Sequence, residues 1–423
     1  MIYYSRGSVD DKISGEELRS GLHDAFEKIG KRNKVVAVPP DITRFHSQSG
    51  IITEIAWEYY KSNLTDILPA IGTHSPMTEK EIETMFGKTP KSLFRIHDWR
   101  KGFSTLGEVP CEFVQQVSGG AVDYSIPIQV DKLLVEGKFD LILSIGQVVP
   151  HEVIGMAGHN KNIFIGTGGS EAINKSHFLG AAFGMERMMG RADTPVKRVL
   201  NYGSDHFADG LPIIYILTVV GRDTDGSLAI RGLYIGDDVE CFNLAASLSL
   251  KVNFTMLEQP LKKAVVYLDP SEFKTTWLGN KSVYRTRMAL ADGGELIVLA
   301  PGLKRFGEDS GIDALIRKYG YVGTPKVLEL VKKNRDLQES LSAAAHLIHG
   351  SSEGRFSITY CPGDISRTEM EGVGFRYADL GKMLKKYDPS TMKDGFNTLP
   401  GGDEIYYISN PALGLWAYRG RFS

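Results

Sequence analysis

The chain has 423 residues, of which 42% are hydrophobic, and this length predicts two domains rather than one. It carries 49 Lys and Arg against 51 Asp and Glu, a balance that gives no electrostatic case for binding nucleic acid or an anionic membrane. Its three cysteines lie far apart and predict neither a disulfide framework nor a metal-binding pair. We find no signal-peptide pattern and no apolar run long enough to span a bilayer, so we expect a cytoplasmic protein that binds a small molecule.

The first half of the chain alternates between strand and helix patterns. Three short apolar runs predict strands that end in polar residues: Lys34–Asp41, Asp66–His74 and Asp140–Gln147. Thr78 and Glu81 form a capping box that begins a helix just after His74, and Ser170 is placed to cap a helix that carries His177. Such alternation indicates a largely parallel sheet that is covered on both faces.

The second half begins with a hairpin pattern and then returns to alternation. Strands are predicted at Leu211–Val220 and Leu228–Gly236, joined through Asp223–Gly226 and followed by a helix at Asp238–Lys251. The later predicted elements are strands at Ala264–Asp269 and Glu295–Ala300, a long helix at Pro325–His349, and strands at Phe356–Tyr360 and Glu404–Ile408. We therefore expect an α/β fold with mainly parallel or mixed sheets in two domains, 1–258 and 259–423, and an active-site cleft between them. The last strand could also return to the first domain.

Polar residues follow the first two predicted strands. Asp41 and Arg44 place an acid and a guanidinium at a strand end, where the planar fork of arginine suits a carboxylate or a phosphate. A solvated ion pair in a turn is an equally good reading of the same residues. His74 could serve as a general acid or base, because the imidazole pKa lies near working pH, or it could simply occupy a loop.

A third group of polar residues begins where the strand at 140–147 ends. His151 follows that strand, at the edge where open α/β sheets bind ligands. Lys161 lies in Gly-rich sequence ahead of a predicted helix and could bind a phosphate or form a covalent bond. The chain has no Walker A motif, which disfavours a nucleoside triphosphate. His177 lies 16 residues further on, and a single histidine does not make a conventional zinc site.

Taken together, these motifs resemble the nickel-dependent lactate racemase family. The resemblance rests on Asp41-Ile-Thr-Arg44, Gly72-Thr-His74-Ser-Pro-Met77, Pro150-His151 with Lys161 and His177, and Ala291-Asp-Gly-Gly294, in that order along essentially the whole chain. It implies a nickel-pincer nucleotide as cofactor, enzymes that make this cofactor as partners, and a racemase or 2-epimerase of a 2-hydroxy acid that works by reversible hydride transfer.

The resemblance also implies a role for each matching residue. His74 and His151 correspond to the two acid/base histidines, and His177 corresponds to the protein's nickel ligand. Lys161 corresponds to the lysine that can be joined to the cofactor. Asp41, Thr43 and Arg44 are expected to contact the cofactor, and Arg44 is expected to contact the substrate as well.

The chain departs from the family pattern at two places. His159 stands where the family has a glycine close to the anchoring lysine, which leaves covalent attachment of the cofactor open. Tyr284 matches the family, but Arg285 replaces a glutamine and Met288 replaces a lysine. With Arg285 and Arg287 as added cations, we expect a dicarboxylic hydroxy acid or a sugar acid rather than lactate. Both arginines could instead lie on the surface of a helix.

Two other functions fit the sequence. One is a conventional metal-dependent hydrolase or lyase, with ligands drawn from His46, His74, His97 and His151 together with Asp41 or Asp98. The other is a small-ligand binding protein without catalytic activity.

Overall fold

The computed structural model describes residues 1–223, 227–412 and 414–422. They form two compact units, one of residues 1–179 with 190–253 and the other of residues 180–189 with 254–423. Each unit is built around one six-stranded sheet, and smaller two-stranded sheets complete the architecture. The predicted α/β class with mixed sheets is confirmed.

The strands are β1 (Ile2–Gly7), β2 (Val35–Val38), β3 (Leu64–Ile67), β4 (Phe103–Val109), β5 (Ile126–Asp131), β6 (Leu141–Gln147), β7 (Pro150–His151), β8 (Gly155–Met156), β9 (Ile213–Arg222), β10 (Leu228–Gly236), β11 (Phe254–Leu257), β12 (Leu261–Tyr267), β13 (Leu290–Ala300), β14 (Ser357–Pro362), β15 (Arg376–Tyr377), β16 (Gly395–Thr398), β17 (Glu404–Ile408) and β18 (Leu415–Tyr418).

The α-helices are α1 (Gly15–Ile29), α2 (Ser49–Tyr60), α3 (Glu79–Phe86), α4 (Cys111–Ser118), α5 (Lys132–Glu136), α6 (Asn160–Phe164), α7 (Ser170–Phe183), α8 (Met185–Met188), α9 (Pro195–Phe207), α10 (Val239–Val252), α11 (Thr276–Gly279), α12 (Lys281–Tyr284), α13 (Ser310–Tyr319), α14 (Thr324–Lys333), α15 (Arg335–Glu339), α16 (Leu341–His349), α17 (Arg367–Gly372) and α18 (Leu380–Lys386). A short 3-10 helix at Ile42–Ser47 follows β2.

The sheet of the first unit has the order β1-β10-β9-β6-β2-β3. Strands β9, β6, β2 and β3 run parallel to one another, whereas β10 is antiparallel to both β9 and β1. The capping box at the start of α3 is present, as predicted. Because β6, β2 and β3 are neighbours with the same direction, their carboxyl ends lie along one edge, where such sheets bind ligands.

The sheet of the second unit has the order β15-β14-β13-β12-β17-β16. All its pairings are parallel except that of β16 with β17. Buried aliphatic residues of β12 and β13, such as Val265 and Leu299, pack with the aromatic rings of Tyr387 and Tyr407 in its core.

Several predicted elements differ in extent from the observed ones. The strand expected at Asp66–His74 ends at Ile67, so His74 lies in a loop. The single helix expected at Pro325–His349 is three helices, α14, α15 and α16. The helical backbone is interrupted at Asn334 and Ser340, which have non-helical backbone angles. The side-chain amide of Asn334 donates a hydrogen bond to the Leu330 carbonyl oxygen at 2.8 Å. The connection predicted through Asp223–Gly226 lies mostly outside the described residues, although β9 and β10 pair antiparallel.

The second unit begins at Phe254, five residues before the boundary predicted from sequence, because β11 pairs in parallel with β18. The final strand β18 therefore belongs to the second unit. Residues 180–189 also belong to it: Met185 packs in a cluster with Tyr284 and Met288. No pattern in the sequence distinguishes this ten-residue segment from its neighbours.

Candidate active site

Three loops at the carboxyl edge of the first sheet carry the candidate acid/base residues. Asp41 follows β2, His74 follows β3, and His151 follows β6. The loops after β2 and β3 are joined by a backbone hydrogen bond from Ala70 N to Pro39 O at 2.7 Å, and Gly72 N joins the β3 loop to the segment after α6 by donating to Gly166 O at 2.8 Å. The order of the parallel strands therefore gathers residues that are far apart in sequence.

Asp41 and His74 are in direct contact. The Nδ1 atom of His74 lies 2.6 Å from Oδ2 of Asp41. The other carboxylate oxygen accepts hydrogen bonds from the backbone N–H and the hydroxyl of Thr43, at 3.1 and 2.5 Å. Burial by itself would raise the pKa of Asp41, but the bonds from His74 and Thr43 hold it below its ordinary value. Asp41 is therefore an ionised group that orients His74.

His151 is buried, and its ring is oriented by the backbone. The N–H of Val153 donates to Nδ1 of His151 at 3.1 Å. Glu152 Oε2 lies 3.7 Å from the same nitrogen, which is too far for a hydrogen bond. Burial is the main reason that the pKa of His151 lies well below its ordinary value, and Glu152 opposes this shift only in part. The ring is consequently neutral at pH 7.

Lys161 lies in α6, which is fixed to two strand ends by its neighbour Asn162. The Asn162 amide donates to Val38 O at 2.8 Å and to Ser144 Oγ at 3.2 Å, which joins α6 to β2 and β6. Burial and the charge of Arg44 lower the pKa of Lys161 to about 8. An amine with this pKa is partly neutral near physiological pH and can act as a nucleophile.

His177 lies on α7 in the arrangement typical of a metal-binding histidine. Its Nδ1 atom lies 2.7 Å from the carbonyl oxygen of Ile173, one helical turn earlier. A carbonyl only accepts, so the proton is on Nδ1 and the lone pair of Nε2 is available. Burial lowers the pKa of His177 to about 4, which keeps the ring neutral. This combination matches what a metal requires of an imidazole ligand.

Electrostatic effects link these residues into one group. The charge of Lys161 lowers the pKa of both His151 and His177, and Glu152 raises it in both. Glu152 also raises the pKa of Lys161. The sequence analysis did not predict Glu152 as a site residue, although its position directly after His151 could have indicated it.

The Gly-rich segment before α7 is required for close packing. A Cβ at Gly166 would lie 2.3 Å from Asn162 O, and one at Gly168 would lie 2.2 Å from Phe164 O. Both distances are shorter than real contacts. These glycines therefore allow the chain to fold back tightly over α6 and place the start of α7.

His97 is buried, and both of its ring nitrogens contact other protein atoms. It is 2% exposed, its Nδ1 lies 2.7 Å from Asp131 Oδ2, and its Nε2 lies 3.0 Å from Gly168 O. His46 is exposed, and Asp98 accepts a hydrogen bond from the backbone of Arg100. Within residues 1–223, 227–412 and 414–422, no three His, Cys, Asp or Glu side chains are grouped so that they could hold a metal ion. The residues proposed for a conventional metal hydrolase are not brought together as a metal site there.

Tyr284, Arg285 and Arg287 are all buried in the second unit, which contradicts the alternative that the arginines lie on a helix surface. Arg285 donates from Nη1 to Gly414 O at 2.8 Å. Arg287 lies 3.5 Å from Glu186 and 3.8 Å from Glu353. These contacts hold both arginine side chains inside the second unit.

A family model described as the lactate racemase N-terminal domain matches residues 18–188, a range that contains every candidate residue of the first unit. Residues 18–188 are therefore similar to the lactate racemase N-terminal domain. The resemblance to lactate racemases predicted from sequence is confirmed. Arg285 and Arg287 lie outside the lactate racemase domain match, which covers less than half of the chain. No curated protein matches the chain in sequence.

Two solved structures share the fold of this chain. The crystal structure of a Thermotoga maritima protein matches with a TM-score of 0.83 and 24% identity, over 98% of this chain and 100% of the other. Lactate racemase apoprotein from Thermoanaerobacterium thermosaccharolyticum matches with a TM-score of 0.70 and 17% identity, over 98% and 94%. In the described part of the chain, no helix has the length and apolar character needed to cross a bilayer.

Proposed function

We propose that this chain is a racemase or 2-epimerase that inverts a hydroxyl-bearing carbon of a 2-hydroxy acid or sugar acid by reversible hydride transfer, with a nickel-pincer nucleotide as cofactor. The similarity of residues 18–188 to the lactate racemase N-terminal domain supports a racemase. The observation that carries the cofactor assignment is His177, a neutral imidazole whose Nδ1 is occupied by the Ile173 carbonyl and whose Nε2 is available to a metal.

The residues of the first unit fit such a cofactor. His177 would supply the protein's nitrogen ligand, and Lys161, with its lowered pKa, would bind or covalently hold the nucleotide. Thr43 and Arg44 follow β2 at the same sheet edge and would contact cofactor or substrate. When bound, the nickel-pincer nucleotide supplies a soft-ligated hydride acceptor.

His74 and His151 would handle the substrate hydroxyl. The α-hydrogen beside a carboxylate is a very poor acid, so its removal as a proton would place two negative charges on neighbouring atoms. Loss of hydride with the hydroxyl proton avoids this, and histidines are suited to hold that proton. We propose that Arg44 binds the substrate carboxylate, because its planar fork suits bidentate contact. The substrate roles of Tyr284, Arg285 and Arg287 stay a prediction.

The test is to produce the chain together with the enzymes that make the cofactor. Nickel should then be present at about one per chain, and a panel of enantiopure hydroxy acids and sugar acids should reveal inversion. With substrate deuterated at the inverted carbon, product that retains deuterium supports hydride return, whereas loss of deuterium to water would overturn it in favour of proton abstraction. A His177→Ala chain prepared in the same way is the matched control.

A further inference from the structure

The second unit contains a cavity near the amino ends of three neighbouring strands. Strands β13, β14 and β15 run parallel and side by side, and residues near the start of each line the cavity. Its volume is about 360 Å³, which lies within the range of small-ligand pockets. All of the described residues that line it belong to the second unit, and none is a candidate residue of the active site. The cavity is therefore a candidate site with a lining of its own.

The charge of the lining is positive. Among the described residues that line the cavity, the ionised side chains are Arg355 and Arg376, with no aspartate or glutamate. Gly350 also lines it and directly follows α16, whose carboxyl end carries about half a negative charge. One guanidinium carries a full positive charge and outweighs that partial charge. The lining therefore favours an anion.

The two arginines differ in how their guanidinium groups are used. Arg355 is already paired, with Nη1 at 3.3 Å from Asp292 and Nη2 at 2.6 Å from Glu186. Arg376 is exposed, and its guanidinium makes no ion pair or hydrogen bond within the described part of the chain. A guanidinium is a planar fork that binds a carboxylate or a phosphate through two parallel hydrogen bonds. Arg376 is consequently the residue that has this fork available.

A tight turn adds neutral donors to the same cavity. Arg355 N donates to Ser352 O at 3.0 Å, and the two central residues, Glu353 and Gly354, have φ 53° and 71°, as is typical of a type I′ turn. The Glu353 carboxylate accepts hydrogen bonds from Thr324 and does not line the cavity. The Ser352 hydroxyl and the Gly354 N–H do line it, and neither has a hydrogen-bond partner among residues 1–223, 227–412 and 414–422. Both are donors suited to an oxyanion.

Buried aromatic rings form another part of the lining. The rings of Tyr321 and Phe375 stack with their centroids 4.5 Å apart, and Phe375 also packs on Tyr360 at 4.9 Å. Phe356 lines the cavity as well and is buried. These ring contacts exist without any ligand, so little further ordering is needed when one binds. Such a wall suits the carbon skeleton of an organic ion.

We propose that this cavity binds a small organic anion, whose carboxylate or phosphate group is held by Arg376, the Ser352 hydroxyl and the Gly354 N–H. The aromatic rings contact the carbon skeleton of the ligand. Arg355 adds positive charge from a position fixed by its two acidic partners. The proposal does not depend on the proposed racemase function, because none of these residues has a role in it.

The first test is calorimetric titration of the full chain without cofactor. The probes are glycerol 3-phosphate and succinate, with glycerol as the uncharged control, and the ionic strength is matched with sodium chloride because salt screens exposed charges. We expect saturable binding of at least one anion and none of glycerol. Tighter binding of glycerol 3-phosphate would identify the bound group as a phosphate, and tighter binding of succinate would identify it as a carboxylate. No saturable binding of either anion up to roughly 10 mM would overturn the proposal.

Arginine variants then locate the binding. Arg376→Gln should weaken it about 10-fold, because charge-assisted hydrogen bonds are lost, and Arg376→Lys should weaken it less, because it keeps the charge without the fork. Arg335→Gln is the matched control for the loss of one positive charge, since that side chain is 90% exposed and does not line the cavity. Arg44→Gln should also bind normally. Binding that is lost in Arg44→Gln and retained in Arg376→Gln would overturn the proposal.

Hydrogen–deuterium exchange locates the ligand without any variant. The anion that binds should slow exchange in the peptide that contains Ser352–Ser357, because the Gly354 N–H becomes hydrogen-bonded. Peptides that contain Lys161 or His177 should exchange as before. Slower exchange that is confined to the Lys161 or His177 peptides would place the anion in the first unit and contradict the proposal. If Arg376→Gln does not fold, this measurement still decides.

Discussion

The Nδ1 atom of His177 lies 2.7 Å from the carbonyl oxygen of Ile173, and this contact turns Nε2 away as a free lone pair. His206, on an exposed part of α9, makes the same kind of contact: its Nδ1 atom lies 2.9 Å from the carbonyl oxygen of Tyr202, four residues earlier. The two histidines share a local geometry and differ in burial and in neighbours, which makes them a matched pair.

We predict that His177→Ala, produced with the cofactor-making enzymes, retains at least 10-fold less nickel than the unaltered chain, because a metal ligand is lost. His206→Ala should retain nickel fully. Elemental analysis of the purified proteins provides the measurement. Unchanged nickel in His177→Ala would contradict the ligand assignment.

Lys161 should react with acylating reagents at lower pH than exposed lysines do. Its pKa is lowered to about 8, first by burial and then by the charge of Arg44. Below this pH the amine is protonated and unreactive, and above it the amine is neutral and nucleophilic. Labelling of the Lys161 peptide, followed by mass spectrometry across pH 6–11, should have a midpoint near 8 in chain without cofactor. Exposed lysines ordinarily titrate at ~10.4, and a midpoint there for Lys161 would contradict the prediction.

His97 should contribute to stability and not to metal binding. Its two ring nitrogens contact Asp131 and the carbonyl of Gly168, just before α7. His97→Ala leaves the Asp131 carboxylate buried without this partner, which we expect to lower the free energy of unfolding by about 3 kcal/mol. His46→Ala, at an exposed position, should be neutral. Thermal unfolding of both variants provides the comparison, and an unchanged Tm for His97→Ala would rule out the structural role.

Replacement of His159 by glycine should destabilise the protein less than replacement by alanine. Its backbone has φ 54° and ψ −136°, a conformation that side chains with a Cβ rarely adopt. Its ring centroid lies 3.9 Å from that of Tyr215, so either replacement removes this packing. Gly is nevertheless free of the backbone strain, and we expect His159→Gly to be more stable than His159→Ala by about 1 kcal/mol. Chemical denaturation gives the order, and the opposite order would show that the backbone at 159 is unstrained.

The local elements were largely predictable from sequence. Short apolar runs gave β2, β6 and β17 to within a few residues, since burial on both faces of a parallel strand requires continuous hydrophobic sequence. The capping box at Thr78 predicted the start of α3, because the hydrogen bonds that define it lie within four residues. Ordered motifs indicated the lactate racemase resemblance for the same reason: they are local and do not depend on contacts across the fold.

Contacts between distant residues were decided by the tertiary structure alone. Asp41 appeared from sequence as a cofactor contact, but the neighbouring positions of β2 and β3 bring it against His74, 33 residues away. His97 could not be separated from a metal ligand until its contact with Asp131 was seen. The sequence indicated Arg287 as a surface or substrate residue. In the structure it is buried beside Glu186, which lies in residues 180–189, and no local pattern in the sequence assigns that segment to the second unit. The sequence by itself determined which residue types stand at the strand ends; the order of the strands decided which of them share protons, since strand order is set by long-range packing.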